Sequence, residues 1–521
     1  MVVVNTVRQN YYQDSMKLMQ ISKELSSLGG INKASAIMAT DANLIMLREA
    51  GLIGKFPDSI SANDLIVAVE ADSKKNAQEA INSIDTFLLS LTATTEENIE
   101  YKSFDSAYSD LTKPNMAIIS VPGEFAKLEV ARAINHNMHT FLFSDNLSVD
   151  EEIELKERAR DKGLLMMGPG CGTAIINGNC LGFANIARRG PIGVVAAAGT
   201  GLQEVVSLVH NWGLGISHGI GVGGRDLSEK VGGIMAIEAI KLLQKDKNTK
   251  FILLVSKPAS KGVVEKIVET AGKSKKPFAM CMMGDDSHKC TDKNIYSTET
   301  LEELSLLALT LVDKKKAKNI DLSDNTWKKT AQKYLKSVHP KQKYIRGLFS
   351  GGTLCYEAQR ILSKTVGDIY SNAPLSKENL LKDSNKSYKN SCIDLGEEEF
   401  TVGRPHPMID ATLRSERIIQ EAKDPATAIV LFDIVLGYGS SPDPAGDLLP
   451  AITKANEIAS RKNRSLYFVT HVCGTEDDMQ KRHQQEQKLR DAGVIVLSTN
   501  AQAARASGWI AGRLAKGGNS R

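Results

Sequence analysis

Residues 189–204 read RGPIGVVAAAGTGLQE, and residues 344–357 read YIRGLFSGGTLCYE. Each stretch runs from a short apolar segment into a glycine turn and then into helical periodicity. A continuous apolar run suits a parallel strand buried on both faces, where an alternating run would suit a half-exposed one. Both stretches carry G-T-x-x-x-E, from Gly199-Thr200 to Glu204 and from Gly352-Thr353 to Glu357. A second pair of matches follows in the same order. Val222-Gly223-Gly224-Arg225-Asp226 precedes a helical period, KDKNTK and FILLVS, while Val402-Gly403-Arg404-Pro405-His406 precedes a helical period, KDPATA and IVLFDI. Two ordered matches imply a duplicated domain, 189–312 and 344–521.

Outward from the repeats the same grammar continues. Short apolar runs at 64–70, 117–121, 140–143, 164–167, 251–255, 278–282, 429–432, 466–469 and 494–497 read as strands, and 127–135 and 234–243 read as helices. The fold class expected is α/β, built from several doubly wound parallel-sheet domains. The boundaries expected are a small N-terminal α/β domain over 1–105, a Rossmann-like domain over 106–188, the two repeats, and between them a Lys-rich linker over 313–343. The polar stretch 376–391 reads as a surface loop.

Composition sets limits. A chain of 521 residues with 42% hydrophobic and 24% charged residues is an ordinary globular protein of several domains. The net charge is 65 − 61 = +4. Residues 313–343 hold ten Lys against three Asp, a local +7, so the rest of the chain is near neutral at 4 − 7 = −3. That is a solvated linker and not the basic, aromatic-studded face of a nucleic-acid binder. The seven cysteines (171, 180, 281, 290, 355, 392 and 473) form no CxxC pair, which points to reduced thiols in the cytosol. Neither a signal peptide nor a long apolar membrane span is read from the sequence.

Glycine turns between strand and helix present free backbone N–H groups at the positive end of the helix dipole, a setting that holds phosphate or carboxylate. Gly199-Thr200-Gly201 and Gly352-Thr353 are the candidates, each Thr adding a hydroxyl donor; tight packing is the competing explanation. Related by a repeat, they suggest two anion sites facing each other. Gly224-Arg225-Asp226 offers a guanidinium fork among glycines. Gly403-Arg404 is its counterpart, followed by His406 between two prolines. That rigid frame either preorganises a ligand-facing imidazole or is a plain surface turn, and Asp410 could cap the next helix or hold the His tautomer. Cys171 in GPGCGT has no His nearby in sequence and reads as a structural thiol. Asp285, Asp286 and His288 match no metal template, and no metal is assigned.

The segments GLLMMGPGCGTAI, GPIGVVAAAGTGLQE and GIGVGGRDL resemble, in order, the α-subunit of succinyl-CoA synthetase over about 117–285. The second repeat resembles the matching domain of that enzyme's β-subunit. The combination of GLLMMGPGCGT, GGRDL, SKP, GGTL and TVGRPHPMIDATLR with a late GTE resembles the FdrA family over about Tyr12–Val496. This resemblance implies a Rossmann-like CoA-binding-type domain, two flavodoxin-like ligase-type domains, and a cytosolic protein related to acyl-CoA synthetases. It further implies a subunit of an oxamate carbamoyltransferase in allantoin catabolism, converting oxalurate and phosphate to oxamate and carbamoyl phosphate with two unlike partner subunits. In that role the two glycine–threonine turns would bind phosphate, Arg225 and Arg404 would neutralise phosphate and substrate carboxylate, and His406 would bond the carbamoyl oxygen or pass a proton. The alternatives are an acyl-CoA ligase subunit and a scaffold binding CoA or a nucleotide. The chain departs from the synthetase in one telling place. The synthetase carries its phosphorylated histidine in a G-H-A-G-A loop, and this chain reads GDDSHKCTD there, with His288. It also shows no ATP-grasp domain, so the resemblance does not extend to making acyl-CoA from ATP alone.

Overall fold

The structure, a computed structural model, describes residues 1–13, 15–53, 60–87, 101, 103–283, 294–322, 326–401 and 404–515. It comprises two compact units, one of Met1–Thr112 with Glu398–Asp410 and the other of Lys113–Glu397 with Ala411–Arg521.

In the first unit β1 (Val2–Arg8), β2 (Ile31–Met38) and β3 (Leu65–Ala71) form an antiparallel sheet in the order β1-β3-β2. The alternation of β3 serves two cores. Leu65, Val67, Val69 and Ala71 pack with Leu18, Ile21, Leu25, Ala77 and Ala80, while Ile66 and Ala68 join Leu47 and Leu52. A strand buried on both faces reads the same in sequence whichever way its neighbours run, so the antiparallel pairing was not visible there.

The second unit begins with β4 (Met116–Ile119), β5 (His139–Leu142) and β6 (Met166–Met167), a parallel sheet flanked by the helices Gly123–Asn135 and Val149–Asp161. The hairpin β7 (Thr173–Ile176) and β8 (Asn179–Gly182) extends the sheet that follows. That sheet holds β9 (Arg189–Ala196), β10 (Ile216–Gly221), β11 (Phe251–Ser256), β12 (Phe278–Met282) and β13 (Ile295–Ser297). The last sheet holds β14 (Tyr344–Phe349), β15 (Ser391–Asp394), β16 (Thr427–Val435), β17 (Tyr467–Cys473) and β18 (Ile495–Leu497). The spatial orders are β13-β12-β11-β9-β10 and β15-β14-β16-β17-β18. Numbered within each repeat, both are 2-1-3-4-5, the flavodoxin-like order. The duplication seen in the motifs is therefore a duplication of topology.

The Lys-rich stretch is not an open linker. It contains the helices Lys314–Lys318 and Thr326–Ser337, and Tyr334 is buried with its hydroxyl donating to Ala428 O at 2.8 Å. Lysine stems cover apolar surface while their heads stay in water, so a high charge did not preclude packing.

The two repeats are joined by their motif glutamates. In each helix the Thr and the Glu are four residues apart and share one face. Glu204, from the helix Gly199–Asn211, reaches His471 Nε2 of β17 at 2.9 Å and accepts from the Asn500 N–H at 3.5 Å. Glu357, from the helix Gly352–Val366, accepts from the Leu301 N–H and from Asn500 Nδ2, both at 2.7 Å. Leu301 and Asn500 open the last helices of the first and second repeats, Leu301–Val312 and Asn500–Ala515. Each glutamate thus caps the closing helix of the other repeat. Burial pushes Glu357 up to about 7, against the bonds from Asn500 and Leu301.

Burial opposes charge on both His471 and Glu204, yet their mutual attraction prevails, raising His471 above 6.5 and holding Glu204 below 4.5. The histidine's contribution is complete below 6.5 and is lost as pH rises through its raised value. The carboxylate's contribution is complete above 4.5 and is lost as pH falls through its lowered value. His471→Ala strands a buried carboxylate and is expected to lower unfolding free energy by about 3–5 kcal/mol. Urea unfolding should show the largest deficit between those two values and a smaller one in alkali.

Candidate functional site at two opposed helix starts

The helix Gly199–Asn211 begins just after β9, and its N-cap, Ala198, provides no side-chain cap. The helix Gly352–Val366 begins just after β14, with Gly351 as an N-cap that likewise provides none. Both starts lie at the carboxyl ends of first strands, where the 2-1-3 order changes direction and open α/β sheets bind ligands. The structure brings them together. A Cβ added at Gly351 would stand 3.0 Å from Thr200 Oγ1, and one at Gly201 would stand 2.8 Å from Thr353 Cγ2. Gly199, Thr200, Gly201, Gly352 and Thr353 therefore form one locus, in which two positive helix ends meet.

The two halves of that locus are unequal. In the second repeat Asp433 accepts from Ser350 N–H and Oγ at 2.8 and 2.9 Å and from Gly351 N–H at 2.8 Å, while Arg414 Nη1 balances it at 2.9 Å. An internal carboxylate thus fills part of an anion cradle. The strand registers Val195↔Leu254 and Leu348↔Phe432 place Val255 at the corresponding position of the first repeat, which holds no carboxylate there.

Lys257 and Asp394, absent from the sequence-derived candidates, stand at the same place. An added Cβ at Gly352 would lie 2.3 Å from Asp394 Oδ2 and 3.0 Å from Lys257 Nζ. Lys257 Nζ is 3.4 Å from Glu397 Oε1, and its side chain is 37% exposed. Burial favours a neutral lysine, but Asp394 and Glu397 hold its pKa above the ordinary value. Asp394 is 2% exposed, and burial raises its pKa despite the opposing charge of Lys257. The available signal was the Ser-Lys-Pro at the end of β11; nothing in the sequence ties its lysine to a carboxylate 137 residues on (394 − 257).

The remaining candidates sit elsewhere. Arg225 Nη2 donates to Leu147 O at 2.9 Å, and its Nε pairs with Glu152 at 3.0 Å. Asp226 is fully buried, accepting from Lys156 Nζ at 2.7 Å and from the Met235 and Ala236 N–H groups at 3.2 and 2.9 Å. Asp226 thereby anchors the start of the helix Ile234–Lys245. Gly224 has open space around it. Arg404 and His406 belong to the first compact unit and Arg225 to the second. Arg404 is exposed, with no side-chain partner among the described residues. His406 Nδ1 accepts from the Met408 N–H at 3.2 Å, which places the proton of the neutral ring on Nε2. Gly403, Asp285, Asp286 and His288 lie outside the described residues. Cys171 is buried, and desolvation pushes its thiol up to about 12, too high for a thiolate nucleophile at neutral pH. Among the described residues no helix is long and apolar enough to cross a membrane.

A family model described as CoA-ligase matches residues 348–510, and one described as AllF, heavy metal-associated domain, matches residues 1–103. The chain is 28% identical over 145 residues to the α-subunit 2 of an ADP-forming succinate–CoA ligase of Archaeoglobus fulgidus, 27% of this chain and 49% of that protein. The apo form of the dinucleotide-forming acetyl-coenzyme A synthetase 1 of Ca. Korarchaeum cryptofilum matches at 15% identity over 78% of this chain and 85% of the other, with a TM-score of 0.31. These features define a mixed α/β protein with a CoA-ligase-like domain and an AllF-type N-terminal domain. It is also 40% identical, over 96% of its length and 97% of the other's, to the uncharacterized protein YahF of Escherichia coli (strain K12). The chain belongs with it to the FdrA family of acyl-CoA-synthetase-related proteins.

The heavy-metal description does not fit the residues present. Heavy metals take thiolate and imidazole ligands. Residues 1–103 contain neither Cys nor His, and no metal-ligating cluster occurs among the described residues.

Lys156 tests the structural role of the Arg225–Asp226 turn. It is fully buried between Glu152 at 2.8 Å and Asp226 at 2.7 Å. Lys156→Met is expected to cost about 3–5 kcal/mol in chemical unfolding because two carboxylates lose their cation.

Proposed function

We propose that this chain is the ligase-type subunit of a hetero-oligomeric enzyme that moves an acyl group between phosphate and a thiol, forming or cleaving a CoA thioester. The observation that carries the reading is the meeting of two uncapped helix starts, Thr200 against Gly351 and Thr353 against Gly201. Two positive dipole ends in contact disfavour each other, and a phosphoryl group bound beside both would relieve both. Free N–H groups and the threonine hydroxyls would hold its oxygens as the bond to the acyl carbon forms or breaks. The CoA-ligase match over 348–510 covers one of these starts and supports the reading. CoA would enter as a substrate, and unlike subunits would supply any nucleotide chemistry.

A second reading keeps the same phosphate site. It takes the carbamoyl transfer that the resemblance to the FdrA family implies, in which phosphate would split oxalurate into oxamate and carbamoyl phosphate, and the AllF-type match over 1–103 is compatible with it.

The test uses the full chain with its co-purifying partners. One arm supplies acetyl or succinyl phosphate with CoA and measures thioester; the other supplies oxalurate with phosphate and measures carbamoyl phosphate. Thioester formation is expected, with Thr200→Val lowering kcat/KM about tenfold through loss of one donor to a charged group. Carbamoyl phosphate without thioester would select the second reading. Neither product from an intact complex would overturn the phosphate site itself.

A further inference from the structure

Lys257 and Asp394 come from different repeats and converge on one point. Lys257 follows β11 of the first repeat, and Asp394 ends β15 of the second. The point is Gly352, the first residue of an uncapped helix, where a methyl group would collide with Asp394 Oδ2 at 2.3 Å and stand 3.0 Å from Lys257 Nζ. Asp394 is held in place on three sides. Its N–H donates to Asn372 Oδ1 and its carbonyl accepts from Asn372 Nδ2, both at 2.9 Å, and its Oδ1 accepts from the Gly396 N–H at 3.0 Å. Its other oxygen faces the glycine. The registers Leu348↔Ile393 and Val195↔Ile220 make Gly221 its counterpart in the first repeat, and Val435 is the counterpart of Lys257. Neither charged residue is a relic of the duplication, and neither caps a helix.

We propose that Lys257 and Asp394 are the anion-neutralising and proton-handling pair of the opposed-helix site, acting on the phosphoryl end of an acyl phosphate. The assignment rests on the ligase-type reading above. In transfer to a thiol the S–H bond breaks, the C–S bond forms and the C–O bond to phosphate breaks. The proton leaves sulfur for Asp394 and passes to the departing phosphate oxygen, so nothing is oxidised and no proton is gained or lost. Lys257 neutralises the phosphoryl oxygens throughout. A carboxyl group raised to about 7 populates both of its forms at neutral pH, as such a relay requires.

The groups facing Asp394 are Lys257, Glu397, Asp433 and the Cys355 thiol. The experiment is sulfate binding to the full chain by calorimetry, since sulfate stays a dianion between about pH 6 and pH 8 and leaves the protein as the titrating partner. Wild type should bind more weakly as pH rises, because ionised Asp394 repels the ligand. Lys257→Gln should weaken binding about tenfold and Lys257→Arg should keep most of it. Asp394→Asn should bind equally at both pH values. Acetyl phosphate should bind more tightly than sulfate or inorganic phosphate. Wild-type binding with Lys257→Gln as tight as wild type and Asp394→Asn showing the wild-type pH dependence would overturn the pair while leaving the ligase reading intact. No sulfate binding by wild type at either pH would overturn the anion site and the reading together. Equal binding of all three anions would overturn the acyl-phosphate assignment. If Asp394→Asn does not fold, the partly exposed Lys257→Gln decides.

Discussion

A glutamate one helical turn below a threonine sets the architecture of the second unit. In G-T-x-x-x-E the threonine and glutamate are four residues apart, so both point towards the opposite repeat. Glu204 therefore reaches His471 and the start of the Asn500 helix, while Thr200 lands on Gly351. Glu357 reaches Leu301 and Asn500, while Thr353 lands on Gly201. A buried carboxylate costs free energy unless it is bonded, so each glutamate needs the other repeat's closing helix to be in place. That need fixes how close the two helix starts lie. The candidate site is a consequence of the lock.

The capping of closing helices is reciprocal, and the charges around the two helix starts are not. The second repeat fills its own turn with Asp433 and Arg414 where the first has Val255. Lys257 and Asp394 each correspond to a neutral residue in the other repeat, Val435 and Gly221. Duplication supplied two equivalent frames, and substitution at three strand ends made them different.

Much of the fold was legible because its signals are local. Continuous apolar runs, glycine turns and two ordered motif pairs suffice for parallel strands, for duplication and for the helix starts that prove to be neighbours. The losses were non-local. Asp394 lies at the end of the short strand Ser391–Asp394, after a polar insert, and its importance depends on Lys257, which only the tertiary fold brings near. Arg225 stood out as a guanidinium among glycines, yet its partners are Leu147 O, just before the helix Val149–Asp161, and Glu152 within it, more than seventy residues earlier, which no local pattern announces. The antiparallel β1-β3-β2 sheet was hidden because the burial of a central strand does not depend on the direction of its neighbours.

The division between the repeats has a consequence for assembly. The first repeat contributes an uncapped helix start and a cation; the second contributes another helix start and a buried carboxylate. Neither set is complete alone. Carrying both repeats on one chain makes their encounter intramolecular, and the helices within 313–343 anchor the connection through Tyr334 on Ala428 O. The reciprocal caps then hold the two halves at contact distance without any ligand, so the entropy of bringing two dipole ends together is met by folding and not by substrate binding.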